Sequence, residues 1–386
     1  ATASPRRCRQ HFPESSAWQG DLRMSAMTYR RHRGALAWLA GLACTATIAA
    51  CGGSPAGESA QQAAQRFLAS YAKPSGQVIR PDQGGDTVSE GQAYGMLLAE
   101  LSGNNTAFQQ IWSWTRSHLQ EGNGLFAFHA NPAGQVTDGQ PASDADVLIA
   151  WALLRYQGSG QAAAHRDGRH VASAVLAHEV TTGPGGVPIL AAGPWATGRP
   201  ASLDPSYWSL PALQGLAQLT GNAQWSRMAA GAVRMTRTLS DGGRVLPPDW
   251  AELTASGSLQ PEPAPDGSQP ETEYGPDAQR IVAWFGTSCT PEAKSLAARW
   301  WPMLRNDKDQ AATSLQPGGD VIDPAQGVLP MVASAAAAKA AGNSAVAGRL
   351  LQRAAQWQRK FPTYYGGAWQ ALGTALLDGS SFLSDC

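Results

Sequence analysis

Ser143-Asp144-Ala145-Asp146-Val147-Leu148-Ile149-Ala150-Trp151-Ala152-Leu153-Leu154-Arg155-Tyr156 opens on polar residues and then runs apolar on every side of a helical wheel. A helix that is apolar all round has no face for water and must be buried. Residues 206–220, 277–287 and 326–341 read the same way. Between them lie amphipathic stretches such as Pro291 to Leu304, with Lys294 and Arg299 on one side and Arg305 just beyond. Apolar spacing and stop signals predict twelve helices, near 59–71, 89–101, 106–119, 144–156, 161–180, 206–220, 222–239, 277–287, 291–305, 326–341, 343–359 and 367–378. Little of the chain alternates with period two, so no substantial sheet is expected. Buried helices alternating with half-exposed ones imply two concentric rings. Six inner and six outer helices make an all-α (α/α)6 barrel; an irregular α-solenoid or bundle is the alternative that the pattern leaves open.

Composition narrows the function. The 386 residues hold 29 Lys+Arg and 29 Asp+Glu, with 15% charged and 43% hydrophobic residues. That is a globular balance. A net charge of zero argues against nucleic acid as a partner, because phosphates need a basic surface. Trp is in surplus, with 14 residues against 8 Tyr and 8 Phe, which suits a large helical core or flat platforms for sugar rings.

The first 50 residues stand apart. They carry seven Arg and only Glu14 and Asp21 as acids, so the remainder has a net charge of −5. Residues 1–50 read as an upstream extension followed by a signal peptide that starts at Met27. Arg30-Arg31-His32-Arg33 is its positive end, 34–50 its apolar stretch, and Ile48-Ala49-Ala50-Cys51 resembles a lipobox, with Cys51 as the lipidation site. Residues 51–58 would be a tether and 59–386 one catalytic domain. The expected location is the bacterial cell envelope or the exterior, with membrane contact only through the lipid. No later apolar run approaches the ~20 residues of a spanning helix. In an oxidising compartment Cys289 and Cys386 form a plausible disulfide pair. The His residues after Cys51 are scattered, so no metal or other cofactor is expected.

Three carboxylates sit where buried helices begin: Glu90 in Thr87-Val88-Ser89-Glu90, Asp144 in Ser143-Asp144-Ala145-Asp146, and Asp277 in Gly275-Pro276-Asp277. In a barrel of antiparallel pairs the inner helices all run the same way, so these acids meet at one end. Each also has a structural reading: Thr87 with Glu90 as a capping box, Asp144 as an N-cap, Asp277 as a first-turn acid favoured by the helix dipole. Glycosidic cleavage requires two carboxyl groups, one protonated and one ionised. Crowded acids in a dry site provide the means to raise one pKa.

The stretches Val88-Ser89-Glu90-Gly91-Gln92-Ala93-Tyr94-Gly95-Met96, Ala142-Ser143-Asp144-Ala145-Asp146, Asp204-Pro205-Ser206-Tyr207 and Asp277-Ala278-Gln279-Arg280 resemble glycoside hydrolase family 8, in the family's order. They are most similar to the endoglucanases that accompany bacterial cellulose synthesis. The resemblance implies an (α/α)6 barrel that hydrolyses β-1,4-glucan internally, with inversion, and the cellulose-synthesis machinery as a partner. By motif, Glu90 is the general acid and Asp277 the general base. Tyr207 would hold base and water, Asp144 would grip the distorted sugar, and Arg280 would orient the base or a sugar hydroxyl. Asp146 is expected to face away or to support Asp144. Two positions depart from the family: Pro276 replaces an aromatic residue, and Asp204 replaces an Asn.

Glucose rings pack on aromatic faces, so substrate contacts are expected at Trp195, Phe128 and Tyr365, with Phe126, Trp250 and Tyr364 as further candidates. Trp151, Trp284 and Trp369, inside buried helices, are expected in the core. The proline-rich stretch 254–273 is expected to be a loop; its Glu262, Asp266, Glu271 and Glu273 keep chitosan open as a substrate. Mixed-linkage β-glucan and xylan are further alternatives, as is a non-catalytic polysaccharide-binding lipoprotein. A polysaccharide lyase would want a Tyr or His base among Arg or Lys, and no such cluster stands out.

Overall fold

A computed structural model describes residues 58–269, 271–306, 308, 310–379 and 383. The signal peptide, Cys51 and nearly all of the tether lie outside these residues, as does Cys386; Cys289 is disulfide-bonded. The chain forms twelve α-helices: α1 (Ala60–Tyr71), α2 (Ser89–Leu101), α3 (Asn105–His118), α4 (Ser143–Arg155), α5 (Gln161–His178), α6 (Leu210–Thr220), α7 (Ala223–Leu239), α8 (Pro276–Thr287), α9 (Pro291–Leu304), α10 (Val328–Ala340), α11 (Ser344–Lys360) and α12 (Tyr364–Leu377).

The even-numbered helices close a ring. Each packs on the next, from α2 through α4, α6, α8 and α10 to α12, which returns to α2. The odd-numbered helices pack outside the ring: α3, α5 and α7 on α2, α4 and α6, and α1, α9 and α11 each between two inner helices. This is the (α/α)6 arrangement. The inner helices are buried almost throughout, while α7 and α11 bury one stripe. Small residues let the inner ring close tightly. A Cβ built on Gly286 of α8 would lie 2.7 Å from the backbone of Ala336 in the alanine-rich α10, so a side chain there would push the two helices apart. Trp151, Trp208, Trp225, Trp284, Trp300 and Trp369 are all fully buried. Much of the Trp surplus therefore serves the core.

Connections from inner to outer helices are short turns. Connections from outer to inner helices are long, except the short turn from α11 to α12, and hold every strand among the described residues: β1 (Thr87–Val88), β2 (Ala127–Ala130), β3 (Val136–Pro141), β4 (Val180–Thr182), β5 (Pro188–Leu190), β6 (Ala201–Leu203), β7 (Trp250–Leu253), β8 (Leu259–Glu262), β9 (Ala312–Leu315) and β10 (Val321–Gln326). They pair antiparallel as β1-β2-β3, β4-β5, β6-β7-β8 and β9-β10. The expectation of no substantial sheet thus holds: the rim carries only small sheets of two or three short strands. The stretch 254–273 is no simple loop, since β8 pairs with β7 from Leu259 to Glu262. No helix among the described residues is long and apolar enough to cross a membrane.

Candidate active site

All inner helices start at the strand-bearing end, and four present their second residue to one cleft: Glu90 on α2, Asp144 on α4, Asp277 on α8 and Tyr365 on α12. Two of the expected capping roles are wrong. Val88 stands at the cap position of α2, and the Thr87 hydroxyl donates instead to the Val78 carbonyl at 2.9 Å. Asp144 lies one residue inside α4, where the cap position is Ala142; its Oδ1 accepts from the Ala145 N–H at 2.7 Å. Glu90 is therefore not spent on its helix start, and Asp144 spends one oxygen there and keeps Oδ2 for Arg280. Asp277 does sit in a first turn, behind Pro276.

Arg280 joins them. Its Nη1 donates to Glu90 Oε1 at 2.7 Å and Asp144 Oδ2 at 2.9 Å. Its Nη2 donates to Asp277 Oδ1 at 2.8 Å and lies 3.4 Å from Asp204 Oδ2. The side chain is buried, with 3% exposure. The Tyr207 ring lies under the guanidinium, 5.3 Å from centroid to Cζ. Glu90 Oε1 also accepts from the Tyr94 hydroxyl at 2.8 Å. Tyr94 in turn meets the buried Trp369 edge-on, at 6.0 Å between ring centroids, so the general-acid candidate rests on an aromatic floor.

One cation faces four carboxyl groups. Two like charges 4 Å apart repel by about 4 kcal/mol at an effective dielectric of 20, whereas a helix N-terminus stabilises an anion by about 0.3–1 kcal/mol, at most ~2. Burial and crowding therefore dominate the dipole. Burial raises the Glu90 carboxyl above the usual range against the pull of Arg280, and Asp277 adds to the rise. Burial likewise raises Asp277 against Arg280 and pushes Asp144 up to about 7. Asp204 is raised well above its ordinary value by burial and then by Asp277. Burial and crowding thus shift these carboxyls towards their protonated forms while Arg280 opposes the shift, the kind of opposition by which a site tunes acid–base groups.

Supporting residues came less readily from the sequence. Asp249, just before β7, accepts from the Gly275 N–H at 2.9 Å and the Ala278 N–H at 2.7 Å. It thus caps the helix that carries Asp277 from outside, and burial pushes it up to about 8. Asp146 is engaged by other partners than Asp144: its Oδ1 accepts the Phe126 N–H at 3.0 Å. Asp146 and the buried Glu179 hydrogen-bond to each other, which requires a shared proton. At the rim, Arg80 grips Asp86 through two bonds of 2.8 and 2.6 Å, and His129 Nε2 meets the same carboxylate at 2.7 Å.

The aromatic candidates divide. Trp195 lies on a 3₁₀ turn (Pro194–Ala196) at the strand-bearing end, 40% exposed, with its indole N–H donating to the Pro141 carbonyl at 3.2 Å. Phe128 on β2, Trp250 on β7 and Tyr365 are half-buried. Phe126 and Tyr364 are buried core residues and offer no platform. No group of His, Cys, Asp and Glu suited to a metal occurs among the described residues.

The family model described as glycosyl hydrolases family 8 matches residues 32–377. An endoglucanase of Xanthomonas axonopodis pv. citri is 30% identical over 337 residues, 80% of this chain and 81% of that one. An endoglucanase of Cellulomonas uda is 31% identical over 207 residues, 52% of this chain and 58% of that one, so the matched part spans less than two thirds of that relative. The solved structure of endo-β-1,4-glucanase CMCax from Acetobacter xylinum superposes with a TM-score of 0.67 at 27% identity, covering 83% of this chain and 98% of that one. The chain belongs to glycosyl hydrolases family 8.

Proposed function

We propose that this family 8 glycoside hydrolase is an exported endo-β-1,4-glucanase that inverts the anomeric carbon. The observation that carries the reading is the single guanidinium of Arg280, which binds Glu90 through one terminal nitrogen and Asp277 through the other. The two bonded oxygens lie no further apart than about 8 Å, which admits the spacing of roughly 6.5–9.5 Å that an inverting pair needs for its water.

Glu90, kept protonated by burial and by the charge on Asp277, gives its proton to the leaving glycosidic oxygen. Asp277, whose ionised form Arg280 favours against burial, takes a proton from the water that attacks the opposite face of the sugar. Tyr207 holds base and water, and Asp144 grips the sugar at the cleavage point. Trp195, Phe128 and Tyr365 bind flanking rings. The names of the endoglucanase relatives support a β-1,4-glucan as substrate. In the cell, Cys51 would carry a lipid anchor, and the enzyme would act beside a cellulose-synthesis machinery.

The test is proton NMR of cello-oligosaccharide hydrolysis, with Glu90→Gln in parallel. Initial α-anomer from the wild type and none from the variant supports the reading. Initial β-anomer overturns the inverting assignment.

A second reading, chitosan hydrolysis, draws on the half-buried or exposed acids Glu262, Asp266, Glu271 and Glu273, of which Asp266 acts electrostatically on Asp277. Cleavage of chito-oligosaccharides with no action on cello-oligosaccharides would select it.

A further inference from the structure

Asp204 is the outlier among the four carboxyl groups at Arg280. Its side chain has no exposure, against 8% for Glu90 and Asp144 and 12% for Asp277. Its contact with Nη2 is 3.4 Å, while the other three bonds are 2.7–2.9 Å. A charge-assisted N–H···O bond is normally ~2.7–2.9 Å long, so Arg280 does not pair with Asp204 as it pairs with the rest. Nη2 has two N–H groups and gives its shorter bond to Asp277. Another cation of the rim, Arg80, is held by Asp86. Beside the Ser206 hydroxyl, Asp204 Oδ1 accepts the Ser206 N–H at 2.8 Å. That bond caps the 3₁₀ turn (Pro205–Tyr207) that carries Tyr207. The groups facing Asp204 are thus Asp277 and Arg280 from α8, Asp144 from α4 near the shared Tyr207, and its own turn.

An ionised carboxylate without exposure needs a full partner, and here Arg280 gives its shorter bonds to three other carboxyls. We propose that Asp204 works as a neutral carboxylic acid, a positioning residue that leaves the guanidinium to Glu90, Asp144 and Asp277, and that its ionisation sets the alkaline end of the enzyme's range. When Asp204 loses its proton it draws Nη2 from Asp277, Asp277 is pulled from its place, and a buried, incompletely paired charge loads the fold. This rests on the reading of Asp277 as the base. The shift of Asp204 agrees in direction, since burial and Asp277 both favour its protonated form.

Asp204→Asn makes the side chain permanently neutral and keeps an oxygen for the Ser206 cap. The sign follows from linkage: a carboxyl whose folded-state affinity for the proton is raised costs stability as pH rises from its unfolded to its folded pKa. The melting temperature of the variant, relative to wild type, should therefore climb by several degrees from about pH 5 to about pH 9. In the kcat/KM profile, each curve scaled to its own plateau, the alkaline fall of the variant should move to higher pH. Asp204→Ser, which also caps, is the second neutral variant should the amide fold poorly. A purely structural cap predicts curves that stay parallel at every pH, and parallel curves overturn the proposal. The melting curves need no substrate. A wild type inactive on cello-oligosaccharides, with melting curves that still diverge, would count against the functional reading and leave the assignment of Asp204 standing.

Discussion

Arg280 follows Asp277 by one helical turn and donates to its carboxylate at 2.8 Å, while its other terminal nitrogen reaches Glu90 on the facing helix at 2.7 Å. The planar fork of the guanidinium makes this double reach possible. A lysine ammonium is a point charge without a fork and cannot hold both carboxylates in fixed relation. Arg280→Lys is expected to keep the net charge yet lose about 10²–10³ in kcat. Steady-state kinetics on a soluble cellulose derivative would check this. A loss below tenfold would mean that the bridge does not organise the reaction.

Replacing either reacting carboxyl in the crowded cleft by its amide should cost activity but not stability. Glu90→Gln and Asp277→Asn should each lower kcat by at least about 10²–10⁴, as expected for loss of a general acid or base. Each also removes one ionisable group from the buried acids around Arg280. Their melting temperatures should equal or exceed that of the wild type, in line with the strain that active sites carry. Calorimetry beside activity assays separates the two effects, and variants that unfold early would turn both residues into structural ones.

Much of this was legible in the sequence because the inner helices are apolar all round, and the few acids that interrupt them stand out. Glu90, Asp144 and Asp277 were visible for that reason, and helix direction alone placed them at one end. The strands were not legible. They run for two to six residues, and partners in the rim rather than alternation define them. Thr87 shows the limit of local rules: Thr-x-x-Glu fits a capping box, but the tertiary partner Val78 takes the hydroxyl. Asp249 left no local signal, since the amides it caps lie 26 and 29 residues further on. The pairing of Asp146 with Glu179 was equally hidden, because nothing in sequence links α4 to the start of β4.

Asp249 should matter to both stability and rate. It satisfies two buried amides at the start of α8. An unsatisfied buried donor costs about 1–3 kcal/mol, and loss of a cap typically about 1 kcal/mol. Asp249→Ala is expected to destabilise by about 2–4 kcal/mol and to lower kcat by loosening Asp277. Urea unfolding measures the first and kinetics the second. A variant as stable as wild type would show that water replaces the cap.

Trp195 is exposed and anchored by one bond to the Pro141 carbonyl. Its loss should leave the fold intact. An aromatic platform that binds ground state and transition state alike affects KM and not kcat. Trp195→Ala is expected to raise KM on long cello-oligosaccharides by about 3–10-fold, equivalent to roughly 0.5–1.5 kcal/mol. Cellobiose-sized substrates too short to reach the ring should show no change. An equal effect on every chain length would place Trp195 outside the glucan track.

The last prediction concerns the closed end of the barrel, away from the reacting groups. Glu100 of α2 lies 3.6 Å from the Arg155 Nε of α4, and Arg155 in turn covers the Trp151 ring at 5.0 Å. Burial pushes the Glu100 carboxyl up to about 7 in spite of Arg155. A raised carboxyl binds its proton more tightly folded than unfolded, so it favours the fold in acid. That contribution is lost as pH rises from its ordinary value of about 4.5 towards 7. The loss is on the order of 1–3 kcal/mol over that window. Glu100→Gln is neutral throughout and should flatten this part of the stability profile, leaving the variant less sensitive than wild type between about pH 4.5 and 7. Chemical denaturation at a series of pH values checks it. A wild type whose stability instead rises across this window, by more than the variant's, would show that Glu100 is ionised and held by Arg155 in the folded protein.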